Sequence, residues 1–118
     1  MARGTRKLAL NYSPESLADL DEIWEWNAKH HGFAHADRYV AALKSATLQL
    51  AQLSDPGLPV PTSPIYRCAI LKRRRKGHGH VVAFTVENQT LYVWRYFHTS
   101  QDWQNKLADN PGSEEAET

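Results

Sequence analysis

The chain has 118 residues, of which 42% are hydrophobic and 23% charged, and its formal net charge is +1. That balance predicts one globular domain, residues 1–108, with a modest core, and the sequence shows no internal repeat. No apolar run approaches the roughly 20 residues of a membrane helix, and the basic start MARGTRKLAL lacks the apolar stretch and cleavage site of a secretory signal. Cys68 is the single cysteine, which rules out an internal disulfide and fits a reducing compartment, so a cytoplasmic location is expected.

In chain order, Leu8-Ala9-Leu10-Asn11-Tyr12 alternates as a short first strand. Ser13 then offers a cap, Pro14 suits the first helical position, and Glu15, Asp19, Asp21 and Glu22 suit the positive end of a helix dipole. Leu17, Leu20, Ile23/Trp24 and Asn27/Ala28 recur at helical spacing, which carries the helix to about His31, with Gly32 as its stop. A second helix starts near Phe33 on the stripe Ala36, Val40, Leu43, Thr47 and Leu50, broadened by Tyr39, Ala46 and Leu53. The short link predicts an antiparallel helical hairpin.

Asp55-Pro56-Gly57 ends this helix, and Pro59, Pro61 and Pro64 predict an extended loop. Strands follow at about 65–72, 79–87 and 90–98, with Asn88-Gln89 as a tight link between the last two. Apolar residues stand at both parities, as in Val81/Ala83 against Val82/Phe84, more than a sheet covered on one face requires. The expectation is that the hairpin covers one face and the other is a partly apolar concave surface open to a partner. A short helix near Ser100–Ala108 and a disordered acidic tail, 109–118, complete the chain. The fold class is therefore α+β: an N-terminal strand and a helical hairpin packed on a small, mainly antiparallel sheet.

The net charge conceals segregation. Residues 1–55 carry six Lys/Arg against seven Asp/Glu, residues 56–100 seven against one, and residues 101–118 one against five. Much of the basic excess is the turn Lys72, Arg73, Arg74, Arg75 and Lys76, which reads either as a surface for polyanions and acidic protein segments or as a solvated hairpin rim.

Arg95 and His98 on the last strand are the candidate catalytic pair if the chain cleaves RNA. A histidine can move the protons, while Arg95 and one of Arg67, Arg73, Arg74 or Arg75 clamp the phosphate. Three positions apart on one strand, Arg95 and His98 should point to opposite faces. Otherwise His98 is a strand cap, and Arg95, inside an apolar strand, needs a carboxylate such as Asp19 or Glu22. His30, His31, His35, His78 and His80 show no zinc-site spacing, so neither metal nor cofactor is expected. Cys68 reads as a core residue. Trp24 and Trp26, two apart on a helix, cannot both face the core, and one should line a groove or interface.

Ala18, Asp19, Leu20, Ile23 and Trp24, followed by Ala36, Arg38, Tyr39 and Val40, resemble the opening "A-x-x-DL-x-x-I-W … A-x-R-aromatic-apolar" of the ParE/RelE toxin superfamily. Tyr66-Arg67, His80-Val81-Val82-Ala83-Phe84 and the ending Leu91-Tyr92-Val93-Trp94-Arg95-Tyr96-Phe97-His98 extend that resemblance over about residues 8–103, closer to the ParE branch. It implies the toxin of a type II toxin–antitoxin system, associated with plasmid stabilisation and neutralised by a small cognate antitoxin. The ParE branch poisons DNA gyrase; the RelE branch cuts mRNA on the ribosome with a basic set completed by a C-terminal Tyr, and here no Tyr follows Tyr96. On the gyrase reading, Arg67, Lys72–Lys76 and Arg95 contact the target or an acidic antitoxin segment lying in the sheet groove. On the alternative, Arg95, His98 and the hairpin arginines form an endonuclease site. A non-toxic binding module of the same fold is the third possibility.

Overall fold

The computed structural model of the chain describes residues 7–71 and 79–109. The basic turn residues Lys72, Arg73, Arg74, Arg75 and Lys76, and the tail from residue 110, lie outside the described residues.

Ser13 caps the first helix, its hydroxyl accepting the Ser16 amide at 2.9 Å while Ser16 Oγ donates back to the Ser13 carbonyl at 2.8 Å. Strand β1 (Ala9–Tyr12) therefore runs directly into helix α1 (Pro14–His31). Gly32, at φ +94°, ends α1 and starts helix α2 (Phe33–Gln52); a Cβ would meet nothing there, so the backbone angle selects glycine. At Gly57 the reason is space, since a Cβ would lie 2.6 Å from the Cys68 carbonyl and 2.8 Å from the Phe84 ring.

The prolines after α2 do not keep that segment out of the sheet. Leu58–Val60 forms a short edge strand, β2, paired antiparallel with β3 (Ser63–Leu71). An edge position tolerates Pro59 because its missing N–H is not needed by an outer neighbour. Strands β4 (His80–Glu87) and β5 (Thr90–His98) follow, joined through Asn88 and Gln89 at φ +51° and +60°. Two positive φ values in a two-residue link are the turn that matches strand twist. The sheet order is β1-β5-β4-β3-β2, with β1 parallel to β5 and every other pair antiparallel.

The hairpin covers one face. Leu20, Leu43, Leu50 and Ala51 meet Val82, Phe84, Leu91, Val93 and Tyr96 in the main core. Leu17 and Leu53, assigned to the inner stripes by spacing, are instead exposed at the outer flank and the end of the hairpin. The opposite face is not the open concave surface expected. A short helix, α3 (Trp103–Asp109), sets Leu107 and Trp103 over Val81, Ala83, Phe97, Tyr66 and Cys68, forming a second, smaller core. This is why both parities of β4 are apolar: each faces a core.

In β5 a bulge does the same work. Phe84 pairs with Val93 and Ala83 with Arg95, leaving Trp94 without an opposite number. Before the bulge the odd residues Leu91 and Val93 enter the main core; after it the even residue Tyr96 does, and Phe97 turns to the second core.

Candidate functional site

The site grows from the edge of β5. β1 pairs with β5 only as far as Val93, so the strand beyond has lost its neighbour. The start of α1 takes over. Ser13 donates its amide to the Val93 carbonyl at 2.9 Å and its hydroxyl to the Trp94 carbonyl at 2.8 Å. Farther along α1, Asp19 accepts the Tyr96 amide at 2.9 Å and holds Arg95 through two bonds, 2.7 Å from Nε and 3.0 Å from Nη2. A carboxylate thus replaces the missing strand and neutralises the guanidinium that the bulge brings to the edge.

Of the two carboxylates the sequence offered to Arg95, Asp19 is the partner. The bonds to Asp19 raise the Arg95 pKa, against the opposing effect of burial, and the nearby charges of Glu15 and Glu22 add to the rise. Arg95 also lies 4.9 Å from the Phe97 ring centroid. It is a braced charge, paired with Asp19 and within the field of Glu15 and Glu22. The expectation that it clamps a phosphate or an acidic segment meets a guanidinium fork already closed on Asp19. Arg67 is likewise engaged, donating to the carbonyls of Pro56 at 2.7 Å and Gly57 at 3.1 Å. Those bonds orient it without cancelling its charge.

Beside this latch, between the hairpin and the end of β5, opens a cleft of about 570 Å³. Asp19, Glu22, Ile23, Trp26 and Asn27 line it from α1, a stripe at helical spacing; His35 and Tyr39 line it from α2, and His80, Tyr96 and His98 from the sheet. Arg95 and His98 both border this cleft despite their three-residue separation, because Arg95 bends across the strand edge to Asp19. His98 stands cross-strand from His80, their rings meeting edge-on at 5.2 Å, and its Nδ1 is within hydrogen-bonding distance of the Ser100 hydroxyl.

Tyr39 reaches across from α2 to His80, with 2.7 Å between its hydroxyl and Nδ1. Burial lowers the His80 pKa from 6.5 to about 4, with the charge of His98 acting in the same direction. At neutral pH His80 is therefore an uncharged imidazole wedged between helix and sheet. Ring contacts continue along the rim from His35 to His31 at 4.7 Å and from Trp26 to His30 at 4.1 Å. Of the two neighbouring tryptophans, Trp24 donates to Asp37 at 2.8 Å on the hairpin's outer side, while Trp26 turns into the cleft.

Below the cleft lies a buried hydroxyl pair. Thr47 gives its one proton to the Leu43 carbonyl at 2.8 Å, so at 2.7 Å from Tyr96 it must accept the phenol proton. Burial raises the pKa of Tyr96, which stays protonated. Cys68 is buried in the second core and its thiol pKa is raised by burial, opposite to an activated nucleophile. Among the described residues, no group of three or more His, Cys, Asp or Glu side chains is placed to hold a metal ion, and no helix is long and apolar enough to cross a membrane. The sequence offered Arg95 a carboxylate at Asp19 or Glu22 but gave no sign that His31, His35, Tyr39 and His80 meet in one place. Their contacts cross the hairpin turn and pass from α2 to β4.

The chain that folds this way matches a known family. The family model described as the ParE toxin of the type II toxin–antitoxin system parDE matches residues 10–103. The chain belongs to the ParE toxin family. A solved structure of the chromosomal ParDE toxin–antitoxin system from P. aeruginosa is similar in fold, with a TM-score of 0.65 and 22% identity over 76% of this chain and 94% of that one. A conserved hypothetical protein from Helicobacter pylori, solved in solution, is 20% identical over 80% of this chain and 97% of that one, with a TM-score of 0.48. No curated protein sequence matches the chain.

Proposed function

We propose that the chain is a cytoplasmic toxin that inhibits DNA gyrase by binding, without chemistry of its own, and that a cognate antitoxin neutralises it. Membership of the ParE toxin family supports this reading. The observation that favours binding over RNA cleavage is the state of Arg95. Its fork is closed on Asp19, and Glu15 and Glu22 stand close enough to act on its charge. A nuclease site needs a free cation to meet the crowded phosphate, whereas carboxylates repel it. The second candidate, His98, borders the same acid-flanked cleft.

The basic turn Lys72–Lys76 is then the element that meets gyrase or its DNA, on the ground of its charge. The test sets two assays side by side. The purified chain should abolish supercoiling by gyrase and accumulate cleaved plasmid while leaving mRNA intact, with or without ribosomes. Cleaved mRNA with undisturbed gyrase would replace this reading with the endonuclease. Normal growth on expression of the chain alone would replace both with a binding module.

A further inference from the structure

We infer that the cleft between α1, α2 and the end of β5 receives a cationic side chain, an arginine or lysine, presented by the protein partner that covers this face. The identity of the carrier as the antitoxin rests on the function proposed above; the chemistry of the cleft does not.

The cleft is electrically lopsided. Among the described residues its one arginine is matched by Asp19, which leaves Glu22 in the wall and Glu15 close by without a described cation paired to them. The rest of α1 deepens the field. Between Pro14 and Ala28 it carries Glu15, Asp19, Asp21, Glu22 and Glu25 and no Lys or Arg. Carboxylates alone would make only a solvated acidic surface, but two further observations point into the cleft. Trp26 lies one turn beyond Glu22 on the same helix face and is 56% exposed, a large aromatic in the wall of a concavity. His30 stacks on one indole face at 4.1 Å; a cation over the other face with a carboxylate beside it is held by the ring quadrupole and the charge together.

His80 is the second observation. It is only 7% exposed, yet it lines the cleft, and beyond its bond to Tyr39 its other ring nitrogen has no hydrogen-bond partner among the described residues. If its Nδ1–H donates to Tyr39, its Nε2 is an acceptor available to the N–H of a guanidinium or ammonium. A buried polar atom left without a partner is costly, and an entering N–H group removes that cost. At about 570 Å³ the cleft admits a long side chain with its flanking main chain.

The probe is a blocked Gly-Arg-Gly peptide, compared with Gly-citrulline-Gly of the same shape without charge and with Gly-Glu-Gly. Indole N–H signals of the chain are followed by NMR, and Trp26 is identified among the four tryptophans by Trp26→Phe. The arginine peptide should shift the Trp26 signal with a Kd in the low-millimolar range. Citrulline should bind at least fivefold more weakly, the loss of one charge pair and its cation–π contact. Glu22→Gln should weaken the arginine peptide about fivefold, whereas Asp21→Gln, outside the cleft, should not. Equal binding of citrulline, stronger binding of the glutamate peptide, or a Trp26 signal that no peptide moves overturns the inference. A chain that takes the arginine peptide but leaves gyrase untouched would refute the gyrase proposal alone, and the reverse result would refute this one alone.

Discussion

Toward α1 and α2, the sheet presents Val82, Phe84, Leu91, Val93 and Tyr96 to two helices of 18 and 20 residues. On its other side Val81, Ala83 and Phe97 are closed over by a single helix of seven residues through Leu107 and Trp103. The first face carries the larger core and the long-range polar bracing of the site: Asp19 on Arg95, Thr47 on Tyr96, Tyr39 at His80. The second is tied more lightly, with Thr62 Oγ1 donating to the Gln104 carbonyl of α3 at 2.7 Å and Trp94 donating to Thr85 at 2.8 Å. The site therefore belongs to the face whose geometry is fixed several times over, and the lightly held face is where local opening costs least.

The largest expected effect tests the claim that the hairpin face carries the fold. Phe84 is fully buried between the helices and Gly57. Phe84→Ala should cost about 4 kcal/mol in urea unfolding, with the whole domain melting as one unit. Next comes the latch. Asp19→Ala leaves Arg95 and the Tyr96 amide without an acceptor and should cost about 3 kcal/mol. Pairing it with Arg95→Met should return part of that loss, because the stranded charge is gone. If the double variant is no better than the single, the latch is not what fixes this edge.

A pH titration sharpens the same comparison. His80 titrates at about 4 in the folded chain and at the ordinary 6.5 when unfolded. Between these values the unfolded chain binds a proton that the native one refuses, so stability is complete above pH 6.5 and falls as pH drops toward 4. The loss should reach about 2–3 kcal/mol and should shrink in His80→Gln. An unchanged profile in that variant would assign the acid sensitivity elsewhere.

Much of the hairpin face was legible in the sequence, because its signals are local. Ser13, Pro14 and Gly32 mark helix ends by capping chemistry, and the stripe from Ala36 to Leu50 marks the buried side. An arginine inside an apolar strand demanded a carboxylate, and α1 offered it at Asp19 or Glu22. Three things were not legible. β2 was hidden because Pro59 and Pro61 read as loop, although an edge strand needs no outward N–H from Pro59. The bulge at Trp94 carries no glycine or proline to announce it, and it alone decides which β5 residues face which core. The Tyr39–His80 contact joins residues 41 apart through a fold that periodicity does not specify.

The smallest expected effect belongs to the other face. Leu107 is nearly fully buried, but it sits near the end of a seven-residue helix and packs, among the described residues, with Trp103 on the sheet. Such a short helix is not stable alone and stays because Leu107 is buried. Leu107→Ala should cost about 2 kcal/mol, the low end for a buried leucine, because the site can collapse or open instead of keeping a cavity. The mode of failure is more telling than the amount. If α3 is a separately releasable cover, the variant should expose Cys68, now 3% exposed with a thiol pKa raised by burial, to a thiol reagent. The hairpin amides should keep their hydrogen-exchange protection throughout. Cys68 that reacts only when the whole domain unfolds would mean the two faces stand and fall together, and the division between them would be one of size alone.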